Sequence, residues 1–122
     1  MNTLEKRLRA DAETILRASI GAVKPDSAVR RALEGARFPG RVFLVAVGKA
    51  AWQMANVACK ALPALAGGVV VTKYGHVKGE ILGVNCYEAG HPVPDENSFA
   101  ATEKALELVQ GLTAEDAVLF LL

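Results

Sequence analysis

The chain has 122 residues, the length of a single domain that is large enough to bury a core. Its 14 basic and 13 acidic residues give a formal net charge of +1, which argues against a nucleic-acid-binding protein and makes any anion site a local feature. No apolar run approaches the roughly 18 residues that span a bilayer, so we expect no membrane insertion.

Hydrophobic periodicity divides the chain into helices and strands. It predicts an amphipathic helix from Thr3 to Ala22 and a shorter helix through Val29 and Leu33. The later predicted elements are a strand at 42–47, a helix at 49–62, strands at 69–72 and 81–87, an irregular segment at 88–95, a helix that stops at Gly111, and a strand at 117–122. The alternation of strands and helices implies right-handed crossovers, and therefore an α/β fold with a parallel sheet.

The last residues, Ala117 to Leu122, form an apolar run that is typical of a buried strand, and the loop and helix that should follow it are missing. A composition that is 52% hydrophobic is also what a piece of a larger protein would have, with one face left uncovered. We therefore expect residues 1–122 to be an incomplete chain. Self-association into a homo-oligomer through the uncovered face is a further expectation.

The strongest local signal is the strand at 42–47 followed by Gly48, Lys49 and the start of a helix. A helix N-terminus carries free N–H groups and a partial positive charge, so it favours a phosphate or carboxylate placed above Gly48. Lys49 adds a full positive charge. The helix dipole disfavours a cation in the first helical turn. A lysine predicted at this position is therefore better explained by a functional role than as an ordinary solvent-exposed side chain.

Two known phosphate-binding motifs resemble this turn and both are incomplete. A Walker loop needs a glycine where Phe43 stands and a hydroxyl where Ala50 stands. The dinucleotide fingerprint keeps the middle glycine, Gly48, but has Ala46 in place of the first one. The pattern therefore indicates an anion site without either motif.

Two further loops should lie beside this turn, because ligands of open α/β sheets gather beyond the carboxyl ends of the strands. Lys73 and His76 follow the second strand, and His91 and Asp95 follow the third. The spacing of Glu88, His91 and Asp95 is irregular for a metal site, so we expect none there.

Three blocks together closely resemble the N-terminal domain of the glycerate kinases that carry a MOFRL domain, a family often labelled hydroxypyruvate reductase. The blocks are Val45-Ala46-Val47-Gly48-Lys49-Ala50-Ala51, Val71-Thr72-Lys73-Tyr74-Gly75-His76 and Glu88-Ala89-Gly90-His91-Pro92-Val93-Pro94-Asp95. They occur in the family's order and spacing, and the resemblance covers nearly the whole chain.

The resemblance implies a Rossmann-like domain, truncated here, from a larger two-domain protein whose C-terminal MOFRL domain is absent. It implies ATP-dependent phosphorylation of D-glycerate with Mg²⁺ in a cleft between the two domains, with glycerate and a nucleotide as the small-molecule partners. Lys49 matches the lysine that the family places at that cleft, and Gly48, Ala50, Lys73, His76, His91 and Asp95 are further candidates for substrate or nucleotide binding. Activity of 122 residues alone is not expected.

Two other functions remain alternatives. A sugar-phosphate-binding domain of the phosphosugar isomerase kind uses a similar turn, but it would need hydroxyl-rich loops, and Thr72 is nearly alone here. An NAD-dependent hydroxypyruvate reductase would need an acidic residue after the second strand, where Lys73 stands. The two cysteines, Cys59 and Cys86, form no Cys-x-x-Cys pair, so we expect reduced thiols and a cytoplasmic protein.

Overall fold

A computed structural model describes residues 2–122 and shows an α/β domain with one sheet. The elements are α1 (Thr3–Val23), α2 (Pro25–Leu33), β1 (Val42–Val47), α3 (Ala51–Ala61), β2 (Gly67–Lys73), β3 (Asn85–Ala89), α4 (Glu96–Leu108) and β4 (Ala117–Leu121). The sheet order is β3-β2-β1-β4 and every pairing is parallel. The α/β fold predicted from the sequence is confirmed.

The central strand β1 decides how the two faces of the sheet are covered. Alternate side chains of a strand point to opposite faces. Leu44 and Ala46 are fully buried in the cluster that includes α3, whereas Val45 and Val47 face the side on which α4 lies. The crossovers β1-α3-β2 and β3-α4-β4 therefore run on opposite faces. The sheet is wound from β1 in both directions, which leaves the carboxyl end of β1 at the switch point.

Three predicted boundaries were wrong. Helix α3 begins at Ala51 with Ala50 as its N-cap, so Lys49 precedes the helix instead of standing in its first turn. Strand β3 covers Asn85–Ala89, not 81–87, because Ile81 and Val84 form a separate antiparallel bridge around a turn at Gly83. For the same reason the first two residues of the segment predicted to be irregular belong to β3.

Helix α1 stands apart from the core. None of its residues is buried, and the large apolar side chains of its predicted inner face are about 60% exposed: Leu4, Leu8, Ile15, Leu16 and Ile20. A capping box between Asn2 and Glu5 closes its first turn. The amphipathic pattern therefore predicted the helix correctly but not its packing. Among residues 2–122, no helix is both long enough and apolar enough to cross a membrane.

The start of β1 is tied to the start of β4 by one ion pair. The carboxylate of Asp116 accepts from Arg41 Nη2 at 2.7 Å and Nε at 3.1 Å, and from the Thr113 N–H at 2.8 Å. The Asp116 side chain is only 4% exposed, while that of Arg41 is 55% exposed. The hydrogen bonds from Arg41, and then the one from Thr113, hold the pKa of Asp116 well below its usual range.

This ion pair makes stability pH-dependent. Because the pKa of Asp116 is lowered by folding, the ionised carboxylate stabilises the fold above the unfolded-state pKa of about 4, and this contribution is lost as the pH falls through the lower folded-state pKa. Urea unfolding between pH 7 and pH 2 should show a steeper acid-side loss of unfolding free energy in the wild type than in Asp116→Asn. The control Glu13→Gln removes an exposed pair with Arg17 and should leave the curve unchanged. Parallel curves for the wild type and Asp116→Asn would contradict this assignment.

A second expectation follows from the exposure of α1. Since α1 buries no side chain, a chain that begins at Pro25 should keep its melting temperature to within a few degrees. Leu44→Ala, which opens a cavity at a fully buried position, is the matched positive control and should lose about 3 kcal/mol or more. Thermal unfolding followed by circular dichroism measures both. Unfolding of the shortened chain would show that α1 supports the core.

Candidate functional site

The carboxyl ends of three neighbouring strands enclose a cavity of about 390 Å³. Gly48 and Lys49 follow β1, Lys73 ends β2, and Gly90 and His91 follow β3; all of them line this cavity. The expectation that these loops share one edge of the sheet is therefore confirmed. The edge offers three basic side chains around one opening, as a site for an anion requires.

Gly48 makes the turn between β1 and α3 possible. Its φ of +125° lies in a region that other residues rarely adopt, and its N–H donates to the Val71 carbonyl at 3.0 Å. The N-cap Ala50 has no side chain that could satisfy the first N–H groups of α3. The helix N-terminus therefore keeps free donors beside Lys49, which is exposed and forms no ion pair within residues 2–122.

Two side chains hold the Lys49 turn through its carbonyl oxygen. The Lys49 carbonyl lies 3.2 Å from His76 Nδ1 and accepts from the Thr72 hydroxyl at 3.4 Å. His76 itself does not line the cavity, in contrast to Lys49 and Lys73. The sequence predicted that His76 lies at this edge of the sheet, but it did not indicate that His76 contacts the backbone of Lys49.

The inner wall of the cavity is apolar. Val47, Val71 and Phe120 line it from one face of the sheet, and Leu106 lines it from α4. The same wall is lined by Thr102, Ala105 and Leu106 of α4 and by its C-cap, Val109. Leu106 and Phe120 are each 58% exposed, so the cavity opens to solvent on this side. The cavity thus has a rim with the basic side chains of Lys49, Lys73 and His91 and an apolar inner wall, beside which charge interactions are stronger than in open water.

Asp95 is occupied by contacts within the protein. Its carboxylate accepts from the Tyr74 hydroxyl at 2.5 Å and from the Ser98 N–H at 3.2 Å, and it caps α4. The Tyr74 hydroxyl and the Gly90 N–H lower the pKa of Asp95, while Asp95 raises the pKa of Tyr74. Asn97 donates in turn to the Tyr74 oxygen at 2.8 Å. The Asp95 carboxylate is thus engaged by Tyr74 and by the cap of α4, and it does not line the cavity.

Gly90 lies where this network is tightest. A Cβ on Gly90 would come within 2.5 Å of the Val93 carbonyl oxygen and within 3.0 Å of the Asp95 carboxylate. Only a glycine fits this close approach. The turn that carries His91 is thus packed directly against the cap of α4. Sequence reasoning missed the part played by Tyr74, although its position beside Lys73 in the second block was the available signal.

No metal centre is formed by the described side chains. Residues 2–122 contain no group of three or more His, Cys, Asp or Glu that could hold a metal ion. Glu88 instead accepts from the Val77 N–H at 3.1 Å, and Asp95 is engaged as described above.

A larger hollow of about 580 Å³ lies near the C-terminal ends of α2 and α3. It is lined by Arg30, Arg31 and Arg37. Arg30 and Arg31 belong to the last turn of α2, where basic residues complement the negative end of the helix dipole. The charges of Arg30 and Arg31 are thus explained by the helix, and the site at the strand ends is the better candidate.

Comparisons with known proteins identify the family of this chain. Residues 11–122 match the model of a family described as "Domain of unknown function (DUF4147)". The chain is 54% identical over 109 residues to a D-glycerate 2-kinase of Thermotoga maritima, covering 88% of this chain and 26% of that protein. It is 38% identical over 108 residues to a glycerate 2-kinase of Pyrococcus horikoshii, covering 87% of this chain and 24% of that protein.

A solved structure agrees with the fold. The crystal structure of a glycerate kinase from Thermotoga maritima matches 96% of this chain and 28% of its own, with a TM-score of 0.85 and 50% sequence identity. The chain thus spans about a quarter of the length of the curated relatives it matches. Since the family model covers far more than half of the residues, the chain belongs to the DUF4147 family.

Proposed function

We propose that residues 1–122 form the N-terminal part of the Rossmann-like domain of a glycerate kinase, which transfers a phosphoryl group from ATP to D-glycerate and yields phosphoglycerate. The observation that carries this proposal is the convergence of Lys49, Lys73 and His91 on one cavity at the strand ends. The relatives that are named glycerate kinases support this reaction for the longer protein.

Phosphoryl transfer depends mainly on positioning and on stabilising negative charge. Lys49 supplies a mobile ammonium group beside the free N–H groups at the start of α3, which suits a phosphate of ATP or the carboxylate of glycerate equally well. The apolar wall below it limits the water that can screen this charge. We assign Lys49 the catalytic role and Ala50 the role of presenting a backbone N–H group. Gly48, whose own N–H is bonded to the Val71 carbonyl, makes the turn that brings both residues to the end of β1.

The other candidates surround this centre. Lys73 adds a second ammonium group to the rim and His91 an imidazole, and we propose that both contact the same or a second anionic group. His76 and Asp95 hold the loops that carry these side chains. This division separates residues that contact ligand from those that orient the contact residues.

Mg²⁺ neutralises the phosphates of ATP in such reactions and is held largely by those phosphates, by water and by one or two carboxylates. Residues 2–122 offer no carboxylate cluster for this role, so we assign no ligand of the ion to them and derive no step through it.

We further propose that the protein is cytoplasmic, because Cys59 and Cys86 are both free thiols. Its partners are small molecules, namely glycerate and the nucleotide. The exposed apolar side chains of α1 and β4 are the surfaces through which it self-associates.

A reductase is the less suitable alternative. In dinucleotide-binding folds an acidic residue near the end of the second strand binds the ribose hydroxyls. Here β2 ends at Lys73, whose positive charge cannot accept those hydrogen bonds.

The 122-residue chain alone should show no glycerate-dependent consumption of ATP, because it spans about a quarter of its relatives and supplies only one side of the proposed cleft. A coupled assay for ADP, run in parallel with the longer gene product, measures this. A second assay with hydroxypyruvate and NADH tests the reductase. Turnover of glycerate and ATP by the short chain would show that the site is complete without the remainder.

In the longer protein, Lys49→Ala should lower turnover about a hundredfold, which corresponds to roughly 3 kcal/mol of lost charge stabilisation in the transition state. Lys49→Arg should restore only part of it, because a planar fork replaces a compact ammonium group. Steady-state kinetics with glycerate and ATP measure the effect.

Lys60→Ala is the matched control, since Lys60 lies in the last turn of α3 at the far end of the same helix. It should leave turnover unchanged. Melting temperatures of all three variants should equal that of the wild type, because Lys49 is exposed. Near-native turnover of Lys49→Ala would assign this side chain to solvent and remove it from the mechanism.

A further inference from the structure

Two side chains donate to the carbonyl oxygen of Lys49. Nδ1 of His76 lies 3.2 Å from it and the Thr72 hydroxyl lies 3.4 Å from it. A carbonyl oxygen only accepts hydrogen bonds, so His76 carries its proton on Nδ1 in this geometry. Thr72 is 3% exposed, and its buried hydroxyl needs such a partner. The contacts fasten the β1-α3 turn to the end of β2, through Thr72, and to the loop after β2, through His76.

These contacts determine the direction of the next N–H group. The Lys49-Ala50 peptide is trans, so its carbonyl oxygen and the Ala50 N–H point in opposite directions. Holding the oxygen toward His76 and Thr72 turns the Ala50 N–H away from them. Within residues 2–122 this N–H donates to no acceptor. Since Ala50 is the N-cap of α3, the N–H belongs to the free donors at the helix start.

The opposite orientation of this peptide would be unfavourable for an anion. A reversed peptide would present the partly negative carbonyl oxygen where the N–H now stands. The turn itself already favours the observed orientation: the Ala51 N–H donates to the Gly48 carbonyl at 3.2 Å, and Ala50 has a φ of −97°, whereas a reversed peptide would need a positive φ there. His76 and Thr72 add to this preference by holding the Lys49 oxygen from outside the turn.

We propose that His76 is a positioning residue of the anion site: its Nδ1–H, with the Thr72 hydroxyl, holds the Lys49-Ala50 peptide so that the Ala50 N–H stays free for an anion beside the Lys49 ammonium group. The inference rests on the proposed function only in the identity of the anion, a phosphate or carboxylate group. His76 does not need to contact that anion, which agrees with its place outside the cavity lining.

The tautomer of His76 gives a test that is independent of activity. In a ¹⁵N-labelled chain at a pH where imidazole is neutral, long-range proton-nitrogen spectra should show a protonated Nδ1 and a bare Nε2 at His76. The chain has only two histidines, so a His91→Gln variant assigns the signals. A protonated Nε2 with a bare Nδ1 at His76 would overturn the proposal.

Three variants test the consequence for anion binding. His76→Asn keeps an N–H donor near the position of Nδ1, His76→Gln moves it outward by one bond, and His76→Leu removes it. Titration with inorganic phosphate, followed by the amide signals of Gly48, Lys49 and Ala50, should show affinity about fivefold weaker in the Leu variant, the loss expected for one hydrogen bond, and near-native affinity in the Asn variant. The Gln variant should lie between them.

The outcomes separate this inference from the proposed function. Equal weakening in the Asn and Leu variants, at unchanged melting temperature, would refute the positioning role. If phosphate causes no shift in the wild-type chain, the proposed anion site is contradicted, whereas the His76 tautomer and the Ala50 amide shift in the Leu variant still decide whether His76 holds the peptide. An Ala50 amide signal that is unchanged in the Leu variant would also refute it.

Discussion

The hydrogen bond from the Gly48 N–H to the Val71 carbonyl is the contact on which the candidate site depends. It extends the parallel pairing of β1 with β2 by one residue and then requires the chain to leave the sheet at a φ that only glycine adopts readily. Lys49 and the first N–H groups of α3 follow at once. A bulkier residue at this position would strain the turn and move both the charge and the helix start away from the strand ends.

The loop after β2 connects the parts of this site. Tyr74 binds Asp95 at the cap of α4, His76 binds the Lys49 carbonyl, and the Val77 N–H binds Glu88 of β3. Four consecutive residues, 74–77, therefore contact all three of the other segments around the strand ends. Such support is what keeps functional loops in place on a rigid sheet. It also explains why several polar residues here contact each other in place of a ligand.

The apolar surface outside the core has a different meaning. The exposed apolar side chains of α1, and those of Leu106 and Phe120 at the cavity wall, form groups instead of being scattered singly over the surface. The relatives are about four times as long as the stretch they share with this chain. Strand β4 pairs only with β1, so its other edge is free among residues 2–122. Contact of these surfaces with further protein would bury the most apolar area and therefore give the largest gain in stability.

Local patterns in the sequence accounted for most of the fold. The apolar run at 42–47, the alternation of helices and strands, and the prolines and glycines between them predicted every helix and strand and the parallel sheet. The strand-end rule for parallel sheets then brought Lys49, Lys73 and His91 together correctly. Helix ends were less well predicted, as at Ala51, because residues near a cap have similar helix preferences on both sides.

The roles of His76, Tyr74 and Asp95 were decided by the tertiary structure alone. Residue type and spacing showed polar side chains near a ligand edge, but hydrogen-bond partners up to 27 positions away in the chain cannot be read from spacing. The sequence also did not predict that α1 is exposed. A periodic apolar stripe indicates that one face of a helix is buried against something, but it does not indicate which surface covers that face. The sequence by itself thus determined the sheet, its turn and the charges at its edge. Which of those side chains line the cavity, and which hold the loops around it, depended on distances that only the folded chain creates.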